Sequence, residues 1–139
     1  MAEQDTPLAL PSFDTPPSIL IVSAPYYRDI SEALMTGTRA VLDAFGAPSE
    51  VVEVPGALEI PTAIRLAAHR FHGFVALGCV LRGETSHYDI VAGESAAGLL
   101  HLGTTQGLCI GNGILTCETR EQAATRADPG GMDKGGGAA

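Results

Sequence analysis

At 139 residues the chain has the length of one domain, and its 45% hydrophobic content is enough for a buried core. A net charge of −8 and an isoelectric point near 4.8 argue against a nucleic-acid backbone or an anionic membrane as the main partner, since both repel a negative field. Three cysteines, Cys79, Cys109 and Cys117, form no C-x-x-C pair and read as reduced thiols of a cytoplasmic protein.

The first seventeen residues, MAEQDTPLALPSFDTPP, lack the basic start and continuous apolar core of a signal peptide. They are expected to form a Pro-rich arm (1–17), flexible or added as a strand to a neighbouring subunit, ahead of one domain over 18–139. No stretch approaches the 18 apolar residues of a membrane span.

From Ser18 the chain alternates short apolar runs with helical periodicity. SILIVSA (18–24) is a β-branched run typical of a strand covered on both faces. Ile30, Leu34, Gly37, Thr38, Val41, Leu42 and Phe45 then draw one helical stripe that Gly46 stops. SEVVEVP (49–55) reads as a second strand, and Pro61 suits the first turn of a second helix running on towards Gly73. FVALGCVL (74–81) is the most apolar strand, followed by a helix carrying Ile90, Val91, Ala97, Leu99 and Leu100. LCIGNGIL (108–115) is the fourth strand, and TREQAATRA (119–127) the fourth helix, with Thr119 and Gln122 at capping-box spacing. Four β-then-α units predict a parallel sheet with helices on both faces, a three-layer α/β/α sandwich.

Such sheets bind ligands outside the carboxyl ends of their strands. Four segments lie there: APYYRD (24–29), PGALEIP (55–61), LRGETSH (81–87) and NGILT (112–116). In GETSHYD, Gly83 permits a tight turn, Thr85 or Ser86 can cap the next helix, and the amides at its start suit a phosphate; ordinary capping is the alternative. His87 is the side chain best matched to proton transfer near neutral pH. His69 and His72 stand three apart, but the further ligands that a metal needs are missing from the pattern. Glu59 suits ligand hydroxyls or, equally, the dipole of a helix start. Tyr26 or Tyr27 can stack on a planar ring or pack on the core rim. Arg126 and Lys134 flank ADPGGMD, a loop able to close over phosphate or to fray as a terminus.

Taken together, VPGALEIP, FVALGCVLRGETSHYDIVAGES, GNGILT and an Arg-to-Lys segment ending DKGG resemble the lumazine synthase family, in order from about Ser18 to Ala139. The resemblance implies a flavodoxin-like fold and a cofactor-free, metal-free condensation. Its substrates are 5-amino-6-(D-ribitylamino)uracil and 3,4-dihydroxy-2-butanone 4-phosphate, and it yields 6,7-dimethyl-8-ribityllumazine, phosphate and water. It places His87 on the acid/base histidine, and Gly83, Glu84 and Thr85 on the phosphate loop. Arg126 falls on the arginine that reaches the phosphate from a neighbouring subunit. Glu59 falls on the ribityl carboxylate beside Ala57 and Leu58, Tyr26 on the stacking aromatic, and Val80 and Leu81 on the ring edge. Lys134 matches a basic residue near the interface pocket. Pentamers, or shells built from them, with sites between subunits are implied, and riboflavin synthase is an implied partner.

Departures stand out, among them a stacking residue, Tyr26, that is tyrosine rather than the usual phenylalanine or tryptophan. Pro25 replaces the usual arginine before the stacking aromatic; Asn112 replaces a phenylalanine that many members supply from the neighbouring subunit; and KGGGAA ends the chain where the family begins its last long helix. A non-catalytic relative that binds flavin or lumazine is the alternative expectation.

Overall fold

The computed structural model describes residues 9–139. Its four strands, β1 (Ile19–Ser23), β2 (Ser49–Glu53), β3 (Gly73–Leu81) and β4 (Ile110–Cys117), form one sheet in the order β2-β1-β3-β4, and every neighbouring pair is parallel. The predicted arm lies outside the described residues over 1–8, and residues 9–17 run without helix or strand.

The apolar runs of β1 and β3 occupy the middle of the sheet because both of their faces are covered. Leu20, Val22, Phe74 and Ala76 point one way, onto Ile60 and Ile64 of α2 (Ile60–Ala67) and Leu99 and Leu102 of α3 (His87–Gln106). Ile21, Val75 and Leu77 point the other way, onto Ile30, Leu34 and Leu42 of α1 (Arg28–Phe45) and Ala123 and Ala127 of α4 (Arg120–Ala127). The predicted three layers are therefore present, with the core split into two halves by the sheet.

Helix ends follow local chemistry. Gly46 takes a left-handed φ of 65°, and the Ala47 amide donates to the Leu42 carbonyl at 3.0 Å, closing α1. Thr119 and Gln122 form the predicted capping box: the Gln122 amide donates to Thr119 Oγ1 and the Thr119 amide to Gln122 Oε1, both at 3.2 Å.

Other boundaries differ from the sequence reading. Helix α2 stops at Ala67 rather than running towards Gly73, because Phe71 turns inward to meet Phe74 edge-on at 6.2 Å and His72 Nδ1 accepts from the Ser18 amide at 3.0 Å. Strand β2 stops at Glu53, ahead of Pro55, which has no N–H for a ladder. Strand β4 is displaced two residues along the chain, with Thr116 and Cys117 paired to Val80 and Leu81. In KGGGAA a fifth helix, α5 (Lys134–Ala138), forms against α1: Asp133 Oδ1 accepts from the Gly136 amide at 3.1 Å, and buried Thr38 donates to the Gly135 carbonyl at 2.9 Å.

Candidate active site

The order β2-β1-β3-β4 reverses direction between β1 and β3, and open parallel sheets part their loops at such a switch point. A crevice of about 520 Å³ opens there, within the size range of small-molecule sites.

Each wall comes from one strand end. Beyond β1, Tyr26 stands 75% exposed on the lip, its ring edge-on to Tyr27 with centroids 5.0 Å apart. Burial, more than any neighbouring charge, raises the Tyr27 phenol above its ordinary range. Beyond β2, Pro55 ends the ladder and Ala57–Glu59 make a single 3₁₀ turn into α2. Ala57 is buried as the floor, while Leu58 and Glu59 remain open to solvent. A Cβ on Gly56 would stand 3.0 Å from Glu59 Oε2, so glycine there leaves room for the carboxylate.

Beyond β3, Gly83, Glu84 and Thr85 form an exposed loop leading to His87, the first residue of α3. The side-chain bond at this helix start comes from Thr85, not from the N-cap residue Ser86: Thr85 Oγ1 accepts from the His87 amide at 3.3 Å, whereas the Ser86 side chain makes no capping bond. This pins the start of the helix and with it the exposed imidazole of His87. Arg82, the cation nearest the loop in sequence, is engaged elsewhere. Its guanidinium binds Glu118 and Asp89 and lies 4.2 Å from the Tyr88 ring centroid.

The fold thus brings Tyr26, Ala57, Leu58, Glu59, Val80, Leu81, Gly83, Thr85 and His87 to one crevice. Glu84 shares the loop without lining it. Asn112, Arg126 and Lys134 lie apart from it. Asn112 sits on the α3 side of β4, beside Leu99 and Leu100, its Oδ1 accepting from the Ile114 amide at 2.9 Å. Arg126 lies in the last turn of α4, with Nη1 donating to the Gln122 carbonyl at 3.0 Å. Lys134 borders a wider groove of about 770 Å³ between Leu10 and Phe13, the end of α1 and the C-terminal segment. That groove is larger, but it lies away from the strand ends where the polar and titratable side chains converge.

Sequence reasoning missed three lining residues: Cys79, Tyr88 and Val91. Val91 was within reach of it, since it follows His87 by four residues and so shares its helix face. Cys79 read as core. Burial first, and Cys117 second, push its thiol up to about 12, so at neutral pH it is a neutral wall atom rather than a nucleophile. Among the described residues no helix is long and apolar enough to cross a membrane, and no three His, Cys, Asp or Glu side chains gather to hold a metal ion.

A family model described as 6,7-dimethyl-8-ribityllumazine synthase matches residues 16–139. The 6,7-dimethyl-8-ribityllumazine synthase of Jannaschia sp. (strain CCS1) is 59% identical over 138 residues, covering 97% of this chain and 76% of that protein. The protein of the same name from Methylorubrum extorquens (strain PA1) is 50% identical over 145 residues, covering 99% and 84%. That from Erythrobacter litoralis (strain HTCC2594) is 57% identical over 122 residues, covering 86% of each.

Proposed function

The chain belongs to the 6,7-dimethyl-8-ribityllumazine synthase family, transferases of riboflavin biosynthesis, and on that premise we propose that the crevice at the ends of β1, β2 and β3 is its catalytic site. The reaction condenses 5-amino-6-(D-ribitylamino)uracil with 3,4-dihydroxy-2-butanone 4-phosphate and releases phosphate and water.

Each step is a proton problem. The 5-amino group attacks the ketone, and the resulting hydroxyl needs a proton to leave as water and give the imine. Removing a proton from the neighbouring carbon expels phosphate from the next one, and the enol formed becomes a ketone. The ribityl-bearing nitrogen closes on that ketone, and a second hydroxyl leaves as water. A histidine serves both directions of transfer near neutral pH, and His87 is the histidine of this crevice.

The remaining roles are those the family resemblance implies, and their placement around the crevice supports them. Tyr26 offers an open ring face to the pyrimidine, with Val80 and Leu81 at the ring edge, and Glu59 accepts hydrogen bonds from the ribityl hydroxyls beside Ala57 and Leu58. Gly83, Glu84 and Thr85 form the loop that receives the phosphate. The single observation that carries the reading is that His87, Glu59 and Tyr26, which come from three different strand ends, line one crevice.

The chain works as a homo-oligomer, a pentamer or a shell built from pentamers, with each site completed by a neighbour. Three observations support this. Arg126, Asn112 and Lys134 lie outside the crevice of their own chain. Ile90 and Leu100 on α3 and Leu66 on α2 are exposed apolar side chains. Strand β2 leaves one sheet edge open, with Val51 and Val52 exposed, where a neighbour's arm (1–17) can add a strand. The three free cysteines fit a reducing cytoplasm, where a riboflavin synthase would consume the product.

The test is a lumazine-forming assay on this chain with both substrates, following product absorbance, with mass measured on the same sample. Turnover in an oligomer of 14.3 kDa chains supports the reading. Tight riboflavin binding by a folded oligomer without turnover would favour the non-catalytic relative instead.

A further inference from the structure

Arg120 opens α4 outside the crevice, yet it is tied to the crevice's aromatic lip. Its Nη2 donates to Asp29 Oδ1 at 2.6 Å, and its guanidinium carbon lies 5.3 Å from the centroid of the Tyr27 ring. Tyr27 in turn meets Tyr26 with the two ring planes at 71°. Tyr27 directly precedes α1 and Asp29 sits in its first turn, so one guanidinium links the start of α4 to the start of α1 and to the loop beyond β1.

Tyr26 is three-quarters exposed, and the aromatic contact it makes is with Tyr27. An exposed ring free to rotate would lose rotamer freedom each time a flat ligand stacked on it. A ring already leaning on a fixed neighbour loses less. Tyr27 is half-buried against the core beneath α1, and its contact with Arg120 adds a second hold. Arginine suits the task because its flat guanidinium can bind a carboxylate at its edge while facing an aromatic ring.

We propose that Arg120 is a positioning residue for the heterocyclic substrate: by holding Tyr27 against Tyr26, it sets the ring on which the pyrimidine stacks. The inference rests on the reading of Tyr26 as the stacking residue.

The test measures kcat and the KM of each substrate for Arg120→Ala, Arg120→Lys and Tyr26→Ala in the full oligomeric chain. Arg120→Ala is expected to raise the KM of the ribitylaminouracil by roughly 3- to 10-fold, the scale of a lost cation–ring contact and a loosened aromatic pair. The KM of the phosphorylated butanone should stay as it was, and Arg120→Lys, which keeps the charge beside Asp29, should recover part of the loss. A general loosening of α4 would raise both KM values together through Arg126, and that result would overturn the inference. An unchanged ribitylaminouracil KM in Arg120→Ala, with a raised one in Tyr26→Ala, would also overturn it while leaving the reading of Tyr26 intact. An unchanged KM in Tyr26→Ala would remove both.

Discussion

Arg82 Nε donates to both carboxylate oxygens of Glu118, at 2.8 and 3.1 Å, and so joins the residue just past β3 to the residue just past β4. The same guanidinium reaches Asp89 in the first turn of α3 at 3.4 Å. The hydrogen bond to Glu118 is the largest of the influences that raise its already high pKa, so the cation is permanent and already engaged. Arg82 therefore braces the start of α3, where His87 stands, and under the proposed function it leaves the phosphate to other groups.

Replacing Arg82 by Lys tests this division of labour. A single ammonium cannot span Glu118 and Asp89 as the guanidinium does, so His87 should shift and kcat should fall, by up to about 10²-fold if the misplacement approaches 1 Å. The KM of the phosphorylated substrate should change little. A large rise in that KM at constant kcat would mean that Arg82 touches the phosphate after all.

His87→Ala should lower kcat by roughly 10²- to 10⁴-fold, the range that positioned acid/base groups supply. Steady-state kinetics at saturating concentrations of both substrates measures it. An unaltered kcat would remove His87 from the mechanism.

Arg126 is expected to act across a subunit boundary, which makes it testable by mixing. His87→Ala and Arg126→Ala chains, each impaired alone, should regain activity when unfolded and reassembled together. At some boundaries an intact His87 then faces an intact Arg126. A mixture no more active than its components would place Arg126 within its own subunit's site or outside catalysis.

Gly98→Ala should destabilise the fold beneath the crevice. A Cβ at position 98 would come within 2.7 Å of Pro61 Cγ, and a proline ring cannot swing aside. Overpacking of this kind costs about 1–3 kcal/mol. Thermal unfolding should show a midpoint lowered by roughly 3 to 10 °C, and an unchanged midpoint would show that α2 and α3 can separate freely.

Cys79, Cys109 and Cys117 should differ in reactivity. Cys109 is exposed, whereas burial raises both other thiols, Cys79 to about 12. Iodoacetamide at pH 8 should modify Cys109 first, as read by peptide mass, and comparable labelling of Cys79 would contradict its neutral state. The neutral thiol is the folded form's preference, because the folded pKa exceeds the ordinary 9.0. Its contribution to stability is complete below about pH 9 and is lost as pH climbs towards 12. The stability advantage of the parent chain over Cys79→Ala should accordingly shrink across that window.

Much of this molecule was legible in the chain because its signals are local. The apolar runs of β1 and β3, the stripe Ile30, Leu34, Leu42 and the Thr119–Gln122 cap each depend on neighbours within a few residues. Boundaries set by distant partners were not legible. The end of α2 depends on Ser18, and α5 depends on Thr38 and Leu34, all far away in sequence. Glycine-rich KGGGA has little intrinsic reason to be helical, and it coils because small residues let its backbone lie against α1.

The sequence by itself determined the fold class, the placement of polar residues at strand ends and the family, because alternating hydrophobic periods and an ordered set of motifs survive in one dimension. Only the tertiary structure decided which charges are available. Arg82 and Arg120 each follow a strand end closely, yet one is bound to Glu118 and Asp89 and the other to Asp29 and Tyr27. The pairings with Glu118 and Asp29 join residues 36 and 91 positions apart, and no local pattern encodes them. They arise because the parallel sheet brings the starts of α1, α3 and α4 to the same end of the sheet.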